Sequence, residues 1–303
     1  MTNTTEAGTG TGTRTANPAA ARWPGACDCH MHVYEDSYPL APTATFKPPH
    51  APAASYHAVQ RALGLSRVVV VQPTGYGHDN ACTLSGMAAL GAEARGVAVI
   101  AADIDEAELA ALDRAGMRAV RFMMLPGGVL GWDAMAPTAA RITPLGWHID
   151  LQLDGCTLPE REALLQTLPT PLVIDHIGKF LNGPVEPDSE AFASLRRLLD
   201  GGRCWIKISG PYESSRSGPP DYDDVAVLAR ILVEQYSERC LWGSNWPHPN
   251  TNPAPSEGDL LAWFLRLTGS DDVARRILVD NPVEVYGFPV ATGTAPASSP
   301  APS

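Results

Sequence analysis

Short apolar runs alternate with segments of helical periodicity along most of this chain. Between the runs, apolar residues recur at helical spacing, as at Phe192, Leu195 and Leu199. Strands that alternate with helices in this way predict a parallel sheet with crossover connections. The eight apolar runs that we predict to be strands are residues 26–32, 67–72, 97–101, 118–122, 148–153, 172–176, 204–209 and 241–245.

Capping signals mark the ends of several predicted helices. Asp105 and Glu108 have the spacing of a capping box and predict a helix over 105–115. Thr157 and Glu160 repeat this signal at the start of the next helix but one. The pair of glycines at 201–202 is typical of a helix end.

Eight strands alternating with helices predict an α/β fold, a single-domain (β/α)₈ TIM barrel over residues 23–287. The alternative, a doubly wound open sheet, is less favoured because no G-x-G-x-x-G follows the first strand. Residues 1–22 are rich in Thr, Gly and Ala, and residues 288–303 are rich in Ala, Pro and Ser. We predict that both segments are disordered tails.

Composition narrows the class of protein. The 303 residues are 45% hydrophobic and 18% charged, which is typical of a globular protein. The net charge of −11 argues against a nucleic-acid partner. The longest apolar runs fall short of the roughly 18–20 residues of a membrane-spanning helix, so no membrane association is expected. Without an apolar leader, and with six scattered cysteines expected to be reduced and buried, a cytoplasmic location is predicted.

Polar side chains concentrate at the C-terminal ends of the predicted strands, where TIM-barrel enzymes carry their active sites. The remaining strand interiors are almost wholly apolar, so polar groups in buried positions need a reason. The candidates at these strand ends are His30, His32, Gln72, Arg121, Gln152, His176, Lys179, Tyr212, Arg216, Asn245, Trp246 and His248.

Four stretches, CDCHMHVY, GMRAVRF, VIDHIGKF and LWGSNWPHPN, resemble the amidohydrolase superfamily. The likeness runs from about Ala26 to Tyr286 and is stronger to the branch of lactone-processing enzymes, which includes 2-pyrone-4,6-dicarboxylate lactonases and D-galactarolactone isomerases. LPGG (125–128), LQLDG (151–155) and YESSR (212–216) look more like the isomerases of that branch. The resemblance implies a TIM-barrel enzyme that acts on an anionic small-molecule lactone.

One departure from the superfamily pattern bears on the mechanism. Where most members have an aspartate that binds metal or abstracts a proton, this chain has Asn245, which has neither charge nor basicity. The resemblance therefore implies metal-independent catalysis by His30, His32, His176 and Asn245. The alternative is Zn²⁺ held by the three histidines, which the cationic Arg121 would oppose.

The resemblance also suggests how a lactone is bound. Arg121, Lys179 and Arg216 are candidates to bind the substrate carboxylate. Protonated histidines, together with Arg121, are expected to stabilise the oxyanion, and Asp154 is a possible base. Gln72, Gln152, Tyr212, Trp246 and His248 complete the predicted substrate-binding set.

Lactone isomerisation of the galactarolactone type is the favoured activity, because an intramolecular hydroxyl needs less help from a base than water does. The first alternative is a lactone hydrolase for a pyrone-dicarboxylate or a muconolactone from aromatic catabolism. The second is a barrel that binds a sugar acid without turning it over. The sequence leaves the oligomeric state open.

Overall fold

The computed structural model describes residues 22–182 and 185–290 of the chain. Its eight strands are all parallel and lie in one sheet in the order of the sequence, which confirms the predicted TIM barrel. Most of both predicted tails, residues 1–21 and 291–303, lies outside the described residues. The strands are β1 (Cys27–Met31), β2 (Arg67–Val71), β3 (Ala94–Ala98), β4 (Met117–Met123), β5 (His148–Gln152), β6 (Leu172–Ile174), β7 (Cys204–Ser209) and β8 (Cys240–Gly243).

One long helix follows each strand, and two short helices complete the described chain. None of these helices is long and apolar enough to cross a membrane. The helices are α1 (Ala53–Leu63), α2 (Ala81–Leu90), α3 (Glu106–Arg114), α4 (Met135–Ile142), α5 (Leu158–Thr167), α6 (Glu190–Asp200), α7 (Asp223–Gln235), α8 (Glu257–Thr268), α9 (Asp271–Arg275) and α10 (Asn281–Tyr286).

The barrel closes through the residues that follow β8. The backbone N–H of Asn245 donates to the carbonyl of His30 at 2.8 Å, and the N–H of His32 donates to the carbonyl of Trp246 at 2.8 Å. Met31 and Trp246 form a parallel bridge. The predicted His-x-His pair and Asn245 are therefore held side by side by main-chain hydrogen bonds.

The predicted element boundaries hold with two exceptions. The third strand lies three residues earlier than predicted, at Ala94–Ala98. The capping box at Asp105 is confirmed, because its side chain accepts from Glu108 N at 2.7 Å. The box at Thr157 is wrong: Thr157 Oγ1 donates to the carbonyl of Asp154, and the helix begins from a preceding 3₁₀ turn.

An apolar plug fills the end of the barrel away from the predicted site. Val69, Val97 and Trp205 pack there with Tyr286 and Phe288. Phe288, the first residue of the predicted C-terminal tail, is buried in this cluster. All six cysteines are unpaired, as predicted, and only Cys156 is partly exposed.

Candidate active site

A pocket lies at the C-terminal ends of the strands, as the barrel fold requires. Loops that follow β1, β4, β6, β7 and β8 contribute to its wall. Six of the predicted site residues line this pocket: His32, Arg121, Gln152, His176, Lys179 and Asn245. The other residues of its wall are Tyr34, Thr45, Phe46, Thr74, Met123, Pro126, Glu213, Pro249 and Asn250.

Five further predicted residues lie behind the pocket wall. His30 is fully buried below the floor, with its ring centroid 4.9 Å from that of His32 and 4.7 Å from that of His176. Trp246 packs on Tyr56 at 5.4 Å. The side chain of Gln72 binds the loop after β2, and Tyr212 and His248 lie behind Asn245.

Arg216 is not brought to the pocket. It is exposed, and its backbone N–H donates to Asp224 Oδ2 at 2.6 Å in a loop ordered around that carboxylate. Within residues 22–182 and 185–290, the cationic side chains that line the pocket are Arg121 and Lys179.

Arg121 is held by polar groups at the C-terminal ends of β2, β5 and β6. Its Nη1 donates to the carbonyl of Gln72 at 2.8 Å, and its Nη2 donates to Gln152 Oε1 at 2.5 Å. Asp175 Oδ2 lies 3.9 Å from Nη2. Because its partners use only part of the guanidinium group, Arg121 retains donors for a substrate.

The imidazole of His32 has a defined tautomer. Its Nδ1 lies 2.8 Å from the carbonyl oxygen of Val71, which can only accept, so Nδ1 carries the proton. Nε2 is then a lone-pair acceptor on a residue of the pocket wall. His32 is therefore suited to accept a hydrogen bond, or a proton, from a bound hydroxyl.

Burial keeps the histidines of the site neutral. It lowers the pKa of His32 to about 3 and that of His176 to about 4, and it lowers the pKa of His30 well below its usual value. These lowered pKa values do not support the prediction that protonated imidazoles stabilise an oxyanion. Positive charge at the pocket comes from Arg121 and Lys179 instead.

A buried charge cluster lies under the pocket floor. Lys207 Nζ is 2.5 Å from Asp150 Oδ2, 3.0 Å from Asp175 Oδ1 and 3.0 Å from His30 Nδ1. All four side chains are buried. The two carboxylates raise the pKa of Lys207 despite its burial, so the ammonium persists. The barrel interior is thus less apolar than the sequence pattern indicated.

The positive charges of this cluster bear on whether a divalent metal could bind in the site. One ligand atom from each of His30, Asp175 and His176 lies within 4.8 Å of the others, a group that does not include His32. The Lys207 ammonium contacts two members of that group, and Arg121 lies beside Asp175. A dication there would be repelled by both cations. The two cations therefore disfavour a divalent metal at this donor set.

A second polar network surrounds Asn245. Its Nδ2 donates to the hydroxyl of Tyr212 at 2.8 Å and to Glu213 Oε1 at 3.2 Å. The other carboxylate oxygen of Glu213 accepts from Lys179 Nζ at 2.8 Å. The Tyr212 hydroxyl also contacts His248 Nδ1 at 2.6 Å. The side chain at the end of β8 is therefore fixed by donated hydrogen bonds.

Backbone strain is concentrated at the same loops. His176 (φ 53°), Ile177 (φ 58°) and Lys179 (φ 45°) follow β6, and Asn245 (φ 61°) and His248 (φ 59°) follow β8. Side chains other than glycine rarely adopt this left-handed region, which costs of order 1–3 kcal/mol per residue. Such strain is typical of functional sites and supports this position for the active site.

Several groups of the site are not among the residues predicted from the sequence. Glu213 appears there only within the YESSR stretch, and Asp150 and Lys207 are not among the candidates. The signal for Asp150 and Lys207 was present, because charged residues inside two otherwise apolar strands require partners. Asp154, the possible base, caps a 3₁₀ turn and accepts a hydrogen bond from the N–H of Cys156.

Buried neutral histidines predict that the protein loses stability in acid. An unfolded histidine binds a proton below about pH 6.5. Burial lowers the pKa of His148, at the closed end of the barrel, to about 3. Each buried neutral histidine therefore makes its full contribution to the free energy of unfolding above about pH 6.5. As the pH falls below that value, the free energy of unfolding declines by up to about 1.4 kcal/mol per pH unit for each such residue.

Urea denaturation at pH 7.5 and pH 5 measures this loss. His148→Gln removes one of the buried imidazoles without touching the pocket, so the variant should lose less stability than the wild type over the same interval. Equal losses for the two proteins would contradict the assignment of His148 as a buried neutral base.

The barrel and its strand-end pocket have the architecture of a TIM-barrel enzyme. The amidohydrolase family model matches residues 27–288, and the chain belongs to this family. It is 35% identical over 287 residues to the 2-pyrone-4,6-dicarboxylate hydrolase of Comamonas testosteroni, covering 89% of this chain and 94% of that protein. It is 34% identical over 275 residues to the D-galactarolactone isomerase of Agrobacterium fabrum, with coverage of 89% and 93%.

Solved structures agree with this family. The apo crystal structure of a protein from Agrobacterium tumefaciens superposes with a TM-score of 0.84 at 33% identity, covering 91% of this chain and all of that one. A crystal structure of a 2-pyrone-4,6-dicarboxylic acid hydrolase homologue from Pseudomonas putida has a TM-score of 0.76 at 30% identity, covering 87% of this chain and 97% of that one.

Proposed function

We propose that this protein is a metal-independent lactone isomerase that acts on lactones of hydroxylated dicarboxylic acids, of the galactarolactone type. The observation that carries the proposal is the state of Asn245. Its amide donates to Tyr212 and Glu213, and it cannot take a proton from water at the position where most of the superfamily has a carboxylate.

The nucleophile follows from this chemistry. Opening a lactone with water requires a base strong enough to activate it. A hydroxyl of the bound substrate has a high effective concentration at the lactone carbonyl of the same molecule. Its attack therefore depends much less on a strong base. The acyl group then passes from one oxygen to another within the same molecule, and the product is a lactone of different ring size.

The pocket residues have separate roles in this reaction. Arg121 donates hydrogen bonds to the oxyanion that forms at the carbonyl, a type of stabilisation that is usually the largest catalytic contribution. Lys179 attracts the carboxylate of the substrate. His32 accepts a hydrogen bond from a substrate hydroxyl through Nε2. His30 lies under the floor and positions the rings of His32 and His176.

A lactone hydrolase is the second candidate, because the relative at 35% identity has that activity in its name. A flat conjugated diacid would favour two arginines in the pocket. Arg121 lines the pocket, whereas Arg216 is on an exposed loop away from it. This arrangement favours the hydroxylated substrate. The chain belongs to an enzyme family and has a formed pocket at the strand ends. We therefore do not favour the alternative of a barrel that binds a sugar acid without turning it over.

The test uses purified, chelator-treated protein and galactaro-1,5-lactone, with ring size followed by NMR. The expected first product is the 1,4-lactone, formed at the same rate with and without chelator. Unchanged 1,5-lactone would remove this substrate from the proposal. Free diacid as the first product would assign the protein to the hydrolases, and a rate restored only by added Zn²⁺ would contradict metal independence.

A further inference from the structure

Glu213 places a carboxylate on the pocket wall next to the side chain that replaces the usual aspartate. Its Oε1 lies 3.2 Å from Asn245 Nδ2, so the negative charge is one hydrogen bond away from the end of β8. Glu213 is the one carboxylate among the described residues that line the pocket. Its side chain is 22% exposed, which leaves it accessible from the pocket.

The other acidic groups nearby are committed elsewhere. Asp150 and Asp175 lie under the floor against Lys207, and both are fully buried. Asp154 caps a turn and binds the N–H of Leu181. Among the carboxylates described at this end of the barrel, Glu213 is therefore the group that a pocket ligand can reach.

The fold brings Glu213 close to His176 by means of a glycine. Gly210 precedes the 3₁₀ turn Pro211–Glu213 and has a φ of 53°. A Cβ atom at this position would lie 3.0 Å from His176 Nδ1 and 3.1 Å from Glu213 Cγ. The absence of a side chain at 210 thus allows the imidazole and the carboxylate to be close neighbours on the same wall.

The charges around Glu213 set its basicity. Burial alone would raise its pKa, but the Lys179 ammonium, which donates to Oε2, acts in the opposite direction and lowers the pKa below its usual value. The groups that face it are Lys179 and His176 from the loop after β6, Tyr212 from its own turn, and Asn245. The carboxylate is ionised at neutral pH and is a weak base.

We propose that Glu213 is the proton-transfer residue of the lactone isomerisation and exchanges a proton with the hydroxyl groups of the substrate, not with water. This role rests on the proposed function. As the attacking substrate hydroxyl forms its bond to the lactone carbonyl carbon, its proton passes to Glu213. When the bond between that carbon and the original ring oxygen breaks, Glu213 returns the proton to the departing oxygen. The step neither oxidises nor reduces the substrate and releases nothing.

A weak base is suited to this reaction. A substrate hydroxyl held against its own carbonyl requires little activation, whereas a free water molecule requires more. The hydrogen bonds from Lys179 and Asn245 fix both carboxylate oxygens, so the proton acceptor is oriented before the substrate binds.

The test compares Glu213→Gln with a variant that moves the carboxylate. Glu213→Gln keeps the shape and is expected to lower kcat by about 100-fold or more, with KM changed by less than a few-fold. Adding Asn245→Asp to Glu213→Gln restores an acid one hydrogen bond away and should recover at least about 10-fold of the lost kcat for formation of the isomerised lactone, measured separately from any free diacid. Glu106→Gln, the same change at a surface residue that is 85% exposed, is the control and should match the wild type.

Each result decides one point. A Glu213→Gln variant with more than half of the wild-type kcat would overturn this role while leaving the proposed function intact. If the double variant recovers kcat, Glu213 acts through its carboxylate and not only through a structural role. A double variant no faster than Glu213→Gln would contradict the proton-transfer role. If Glu213→Gln does not fold, as judged by circular dichroism, Glu213→Asp replaces it and should retain part of the activity. A wild type without lactone turnover would overturn the proposed function itself, and this role with it.

Discussion

Replacing Arg121 by methionine is expected to lower kcat/KM on the lactone by about 100- to 1,000-fold. The guanidinium is the cation that the neighbouring strands fix in the pocket, through Gln152 Oε1 and the carbonyl of Gln72. Because burial lowers the pKa of His32 and His176, these two imidazoles of the pocket wall do not supply a positive charge in its place. Steady-state kinetics on the purified variant measures the loss.

Arg118 provides a matched control on the same strand. Its guanidinium points to the outside of the barrel, where it contacts Asp113 and the carbonyl of Met117. Arg118→Met should keep kcat/KM within about two-fold of the wild type. Equal losses in the two variants would show that the effect of Arg121→Met comes from a damaged strand and not from a lost oxyanion donor.

Replacing Lys207 by methionine is expected to lower the free energy of unfolding by about 3–5 kcal/mol. The ammonium is fully buried and neutralises Asp150 and Asp175, which would otherwise lie close together without a counter-charge. Removing the ammonium leaves the two buried carboxylates without a counter-charge. The resulting loss in the free energy of unfolding is larger than the net stabilisation that the ion pairs provide. Chemical denaturation at neutral pH measures the change.

A double variant separates charge from packing. Asp150→Asn in the Lys207→Met background removes one of the two carboxylates that have lost their counter-charge, and it should recover part of the lost free energy of unfolding. Lys47→Met, at an exposed position, should change the free energy of unfolding by less than about 0.5 kcal/mol. A Lys207→Met protein as stable as the wild type would contradict the charge cluster under the pocket.

The barrel was predictable because its strands are buried on both faces and give continuous apolar runs. The third strand was misplaced because its true residues include Arg95 and Gly96. A Cβ at Gly96 would lie 2.3 Å from Met117 Sδ and 2.4 Å from Met87 Sδ, so close packing requires glycine there. The apolar residues just beyond the strand, such as Ile100, gave a stronger signal than the strand itself.

The active site was only partly predictable. Residues at strand ends, such as His32, Arg121 and Asn245, line the pocket because the barrel fold fixes their position. The positions of residues further along the loops cannot be predicted from periodicity. Glu213 lines the pocket, whereas Arg216, three residues later, is exposed on the loop outside it. Lys207 and Asp150 are 57 positions apart, so no local pattern could join them.

The central claim is that an intramolecular hydroxyl, and not water, attacks the lactone. The direct measurement is turnover of galactaro-1,5-lactone in H₂¹⁸O, with mass spectrometry of the first product before any slow hydrolysis. We expect a product lactone without ¹⁸O. A first product that carries one ¹⁸O atom per molecule would show that water is the nucleophile and would refute intramolecular attack.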